Sequence, residues 1–437
     1  MAVVIGGILV LRLHAFLALI FGAITVAALT PSDDAVIARV SEGLGKGFSS
    51  LAILISMAAI IGKCLLDSGG AERIVVSLRN LLGDKRTPLA LTASSFTLGI
   101  PVFFDTVFYL LVPLAKALRV QTGKNYLLYV LAIVCGATMA HSLVPPTPGP
   151  LLVASMLEVD VGVMMMGGLV VGLVTVSAGY LYAVWANRRW EIPLRPSVEL
   201  PQEELEAMAN RDEAELPSFF LSVLPIVLPI VLIAGRSIAE FAGMESKALA
   251  VIGDKNIALI ISAAVALILL AVAKQRSLSQ LTEAVGAALA SGGVILLITS
   301  AGSAFGSTLR DTGIADSIEG MIHQQQSLML IPIAFLITTA MRTAQGSATV
   351  AMITAISIVA PIIGAVDLAF HPVYIALAVG CGSKPIMWAN DSGFWIIGRM
   401  SGMTPLETFK TASVQMIVMA VTGLIVVILG ASVLPLK

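Results

Sequence analysis

Uninterrupted apolar runs of about 20 residues recur along this chain, and they leave it few ways to fold. They cover residues 13–29, 44–66, 88–118, 126–157 and 161–185, then 218–235, 257–273, 288–309, 332–362, 372–400 and 405–429. Each is long enough to cross the hydrocarbon core of a bilayer, where water cannot satisfy backbone N–H and C=O groups. Only helices or closed barrels span under that constraint, and continuous rather than alternating apolar runs select helices. The fold class is therefore an all-α polytopic membrane protein, with lipid as its solvent. Two short amphipathic stretches, 71–82 and 314–322, fit helices lying in the interface.

Composition agrees. The chain is 57% apolar and 12% charged, against about 25% charged residues in a soluble domain. A net charge of −1 and the lack of a basic tract exclude a nucleic-acid partner. Cys64, Cys135 and Cys381 sit in apolar stretches without metal-ligand spacing and read as core residues. No basic segment precedes the first apolar run, which reads as a span rather than a cleaved signal.

The two halves repeat at an offset of 244 residues, which lays Asp67-Ser68-Gly69 over Asp311-Thr312-Gly313. The same offset pairs Gly136 with Gly380, Gly149 with Gly393 and Met156 with Met400. The division is a first membrane repeat over 1–185, a polar cytoplasmic loop over 186–217 and a second membrane repeat over 218–437. Repeated halves are the signature of secondary transporters. If 88–118 and 332–362 are re-entrant hairpins, an odd number of crossings separates matching points, and the second repeat is inverted. With the 186–217 loop inside, most of the 26 basic residues fall on the cytoplasmic side, including Arg73, Arg79, Arg119, Lys124, Arg188 and Arg189.

Polar interruptions break four of the long segments. They are Gly99-Ile100-Pro101 leading to Asp105, Arg342-Thr343-Ala344-Gln345-Gly346-Ser347-Ala348-Thr349, His141-Ser142 through Pro145-Pro146-Thr147-Pro148-Gly149, and Ser383-Lys384 through Asn390-Asp391-Ser392-Gly393. Proline and glycine unwind a helix there, and the exposed helix ends suit an anion at a shared site. Ionisable groups at membrane depth cost about 2.5–3.5 kcal/mol on insertion scales, which makes them functional candidates. The substrate-binding set is Arg342, Gln345, Ser347, Thr349, His141, Ser142, Thr147, Lys384, Asn390 and Ser392. Asp105, set among Val102, Phe103, Phe104 and Phe108, and Asp391 are the proton-coupling pair. Trp388, Trp395 and Met164, Met165 and Met166 read as packing. No His-Glu-x-x-His, Gly-x-Ser-x-Gly or acidic metal pair is present, so the expectation is no enzyme, no cofactor and no metal.

GIPVFFDTVF, MAHSLVPPTPGP, RTAQGSATVA and ANDSGFW resemble, in order and spacing, signature segments of the gluconate permease family. That resemblance runs from about Arg12 to Leu429. It implies an elevator-type transporter with two inverted repeats, re-entrant hairpins and broken helices. It implies a homodimer that carries gluconate or a related sugar acid inward with a proton. This chain departs from the family pattern at Asp105, where a glutamate is usual, and at Thr147 and Trp388, where histidines are usual. It departs again at Lys384, where an apolar residue is usual. A helix matching 218–235 should precede Leu13, so the start reads as truncated or as a remnant over 1–11. The alternative reading is a sodium- or proton-coupled carrier of a di- or tricarboxylate or other small organic anion, since Lys384 beside Arg342 suits a second carboxylate.

Overall fold

The computed structural model describes residues 3–4, 7, 11, 13–83, 86–195, 216–241, 247–275, 277–312, 324–388 and 391–436. Among them every regular element is a helix, and eight helices are long and apolar enough to cross a membrane. The first half supplies α1 (Ala15–Leu29), α2 (Val36–Ser68), α3 (Gly70–Leu82), α4 (Thr87–Leu98) and α5 (Phe104–Thr122). It continues with α6 (Tyr126–Leu143), α7 (Pro148–Met156) and α8 (Val161–Arg189). The second half supplies α9 (Phe219–Phe241), α10 (Lys247–Ile252), α11 (Lys255–Lys274), α12 (Leu278–Arg310) and α13 (Leu330–Gln345). It ends with α14 (Ala348–Ile363), α15 (Val373–Gly382), α16 (Ser392–Ser401) and α17 (Pro405–Val433).

The 244-residue offset carries α8 onto α17 end for end, and the 33-residue α2 onto the 33-residue α12 within two residues. These mates pack on each other. Gly43 faces Ala304 and Ser307, Gly47 faces Ser300 and Ser303, and Ala59 faces Gly292. As α2 advances α12 recedes, so the two run antiparallel and the second repeat is inverted. Small residues make the approach possible: a Cβ on Gly43 would meet Ala304 Cα at 2.9 Å. α8 and α17 cross in the same sense. Thr175 lies against Gly423, Gly179 against Met419, and the Tyr182 hydroxyl donates to Lys410 O at 3.2 Å.

Around the α2–α12 pair, α1 packs mainly on α12 and α11 on α2, while α14 contacts α12. The hairpins lean across the repeat boundary, α5 against α16 and α14 against α7. Cys64, Cys135 and Cys381 are buried free thiols. Met164 and Met165 are buried as packing residues, whereas Trp388 and Trp395 are 43% and 39% exposed rather than core.

α2 and α12 begin at Val36 and Leu278, well before the apolar runs at Leu44 and Ala288. Their first turns mix apolar with polar or charged residues but are helical. Glu42 and Lys46 pair across one turn at 2.6 Å on an exposed face. Arg39 is buried, donating to Ala27 O (3.0 Å) and Thr30 O (3.2 Å) at the end of α1, where helix carbonyls lack partners. Hydropathy reads such turns as loop. α8 likewise runs to Arg189, into the stretch read as the start of the polar loop. Residues 314–322 lie outside the described residues, as do 196–215 of the loop.

Candidate functional site

The first hairpin turns between α4 and α5 at residues 99–103, and the second between α13 and α14 at Gly346 and Ser347. Gly346 takes φ 74°, the left-handed conformation that ends α13 and that L side chains rarely adopt. Gly99 presses on α6, where a Cβ would meet Ala137 O at 2.8 Å. The broken helices α6–α7 and α15–α16 interrupt at matching places and touch there. Ser383 Oγ donates to Ser142 Oγ at 3.2 Å, and a Cβ on Gly380 would reach within 2.6 Å of Ser142 O.

A cavity of about 290 Å³ lies among the four breaks, lined by Asp105, His141, Arg342, Ser347, Thr349, Lys384, Asp391 and Ser392. Asp391 caps α16: its Oδ1 accepts from the N–H of Gly393 (2.6 Å) and Phe394 (3.3 Å). Its other carboxylate oxygen pairs with Arg342 Nη2, and both residues are buried. Arg342 Nε is also buried and makes no hydrogen bond. His141 Nε2 lies 3.3 Å from Thr349 Oγ1, joining α6 of the first repeat to α14 of the second, with the Phe103 ring 5.6 Å away. Lys384 is 4% exposed, at the end of α15.

Three residues read from sequence as substrate ligands lie outside the lining. Thr147 Oγ1 donates to His141 O (2.8 Å) and Val144 O (2.9 Å), closing the break internally. Ser142 is taken by Ser383, and Gln345 Nε2 donates to Thr354 Oγ1 at 3.3 Å. Asn390 lies outside the described residues. Asp391 takes Arg342 as its ion partner.

The sequence reading named Phe103 and Phe104 only as the surroundings of Asp105 and missed Thr138, Ser291, Ile295, Met387 and Met416, all of which line the cavity. Thr138 sits one helical turn before His141, a spacing that puts both on one face. Ser291 and Ile295 come from α12 and Met416 from α17, with no local signal to mark them. Trp388, beside the site, donates its indole N–H to Thr343 O at 2.9 Å.

Two of the four helix ends expected to offer N–H groups to an anion are closed by the protein itself. Ser347 caps α14 by accepting from Val350 N–H, and Asp391 caps α16. α5 and α7 have no side-chain cap, and Phe103, Phe104 and Asp105 of the α5 end line the cavity.

A cavity with buried cations and carboxylates, held at helix breaks between two inverted membrane repeats, belongs to a membrane carrier. Residues 1–433 match the GntP family permease, and the chain belongs to that family. An uncharacterized permease of Haemophilus influenzae is 33% identical over 411 residues, 91% of this chain and 83% of that one. The high-affinity gluconate transporter of Escherichia coli K12 is 31% identical over 436 residues, 97% of each chain. The gluconate permease of Pseudomonas aeruginosa is 31% identical over 444 residues, 99% of this chain and 97% of its own. The fold is shared with the YdaH transporter of Alcanivorax borkumensis, described as having an unusual topology. Its TM-score is 0.65 at 14% identity, covering 97% of this chain and 100% of that one. The chain is a multi-pass transporter of the bacterial inner membrane, not an enzyme.

Proposed function

We propose that this permease carries gluconate or a related sugar acid into the cell together with a proton. The observation that supports the coupling is the charge balance of the cavity. Its charged lining is Arg342 and Lys384 against Asp105 and Asp391, which sum to zero when all four are ionised. A monoanion entering alone would leave one uncompensated negative charge in a buried site, a cost of several kcal/mol. One proton on a carboxylate restores neutrality, so anion and proton enter together. The gluconate transporters among the relatives support the choice of anion.

Roles follow from partners. Arg342 spends Nη2 on Asp391 and, as part of the cavity lining, takes the substrate carboxylate with the rest of its guanidinium. Lys384, Ser347, Thr349, Ser392 and His141 face the polyol. Asp105 has no hydrogen bond or ion pair among the described residues, whereas Asp391 is held by two N–H groups and an arginine. Asp105 is therefore the residue that takes the proton. Ser291 and Ile295 put the α12 wall against the substrate, so movement of the hairpins and broken helices along that wall would carry it across.

Uptake by proteoliposomes tests this. An acid-outside pH gradient without sodium should drive accumulation of labelled gluconate. Accumulation only with a sodium gradient would remove the proton. A second reading, a dicarboxylate substrate, is favoured by the second buried cation, Lys384. Stronger competition by a sugar diacid than by gluconate would establish it.

A further inference from the structure

A second cavity, of about 360 Å³, opens where the end of α5, the start of α6 and the end of α8 meet. It shares no residue with the substrate site, although α5 and α6 contribute to both. Four cationic side chains line it, Arg119, Lys124, Arg188 and Arg189, against one acidic residue, Glu191. Among the described residues Lys124, Arg188 and Arg189 form no ion pair. Arg119 lies 3.8 Å from Glu191, whose side chain is 89% exposed, and such a pair neutralises little.

The start of α6 adds to this. Its N-cap residue, Asn125, has φ 62° and makes no side-chain cap hydrogen bond. Asn125 Oδ1 instead accepts from Asn187 Nδ2 at 3.0 Å, while Asn187 Oδ1 accepts the Leu128 N–H at 3.1 Å. Tyr126 and Leu127, both in the lining, keep first-turn N–H groups with no acceptor among the described residues. Uncapped N–H groups at a helix start, ringed by arginines, form a site for a tetrahedral oxyanion. Trp190 of the lining stacks edge-on against Trp185 at 5.3 Å, and Trp185 meets Tyr182 at 5.5 Å. Such an aromatic cluster marks the lipid–water boundary, where basic pockets between helices meet anionic headgroups.

We propose that this cavity binds a phosphate group, carried by an anionic phospholipid or by a soluble phosphorylated compound. Phosphate held between Arg119 and the pair Arg188 and Arg189 ties α5, which carries Asp105 near its other end, to α8. The cavity is thus placed to set how freely the first hairpin moves.

The test uses the full chain in nanodiscs, with the triple variant Lys124→Gln/Arg188→Gln/Arg189→Gln beside wild type. In one arm, phosphatidylcholine discs are titrated with inorganic phosphate and thermal stability is followed. In the other, discs of phosphatidylcholine mixed with phosphatidylglycerol are prepared, and phospholipid retained by the protein is counted by native mass spectrometry. The expected result is phosphate-dependent stabilisation or selective phosphatidylglycerol retention in wild type. The triple variant should weaken it about a hundredfold, at the usual contribution of each interfacial cation. The first arm alone identifies a soluble ligand, and the second alone a lipid. Lys274→Gln, a control outside the cavity, should behave as wild type, and unchanged chromatographic and melting profiles show that the triple variant is folded. Wild type responding in neither arm, or the folded triple variant responding as wild type does, overturns the proposal.

Discussion

The carboxylate of Asp391 caps α16 with one oxygen and pairs with Arg342 at the end of α13 with the other. One buried residue thus ties the second hairpin to the second broken helix. At the 244-residue offset their counterparts in the first repeat are Leu98 and Thr147. Leu98 is apolar, and Thr147 turns back onto His141 O and Val144 O. The backbone plan is two-fold, but the buried ion pair belongs to one repeat only, so the site is asymmetric and can hold a substrate with one carboxylate end and one polyol end.

Arg342→Lys should abolish gluconate binding by isothermal calorimetry, although it keeps the charge. A lysine ammonium that remains with Asp391 has no second edge to offer, unlike the guanidinium fork. Wild-type affinity in the lysine variant would remove the carboxylate role from Arg342.

Asp391→Asn should lower stability by about 3–5 kcal/mol, because asparagine still caps a helix but leaves Arg342 buried without its counter-charge. Adding Arg342→Met should recover most of that stability and none of the transport. Denaturation midpoints of the two singles and the double form a coupling cycle. Additive losses would mean that the pair is not a structural tie.

Much of this could be read in the sequence, and the limits have physical causes. The matched spans and the four breaks were legible because a 244-residue repeat, proline, glycine and intramembrane charge all mark the same places. The first turns of α2 and α12 were not, since hydropathy cannot tell a helix turn held by Arg39 and the Glu42–Lys46 pair, or by the Ser277 capping box, from a loop. Which hydroxyl faces the cavity depends on helix phase. Thr138 shares a face with His141, while Ser142, the next residue along, points at Ser383. The walls from Ser291, Ile295 and Met416 depend on tertiary packing alone, which no local pattern encodes.

The inverted packing of α2 on α12 requires α9 to cross the membrane between the repeats. A cysteine at Glu191 should then be labelled by an impermeant maleimide only from the cytoplasm, and one at Lys247 only from outside. The basic residues near Glu191, Arg188 and Arg189 among them, favour that sidedness. Labelling of both from the same face would show that α9 does not cross.

Asp105→Asn should separate coupling from binding. Asp105 lies in the first turn of α5, lines the cavity and has no hydrogen bond or ion pair among the described residues. Its charge is therefore the one most readily cancelled, since Asp391 would have to give up two N–H donors and Arg342. Asp105→Asn fixes that position in its neutral state and leaves the cavity with one net positive charge from Arg342 and Lys384 against Asp391. Gluconate, a monoanion, neutralises that site without a proton. The expected phenotype is intact or tighter gluconate binding and retained exchange of internal for external gluconate. Accumulation driven by a pH gradient should fall to the level reached without one. Proteoliposomes preloaded with gluconate measure exchange, and empty ones under an acid-outside gradient measure accumulation. Accumulation at the wild-type level in Asp105→Asn would take Asp105 out of the proton path and leave His141, paired with Thr349 across the repeats, as the next group to test.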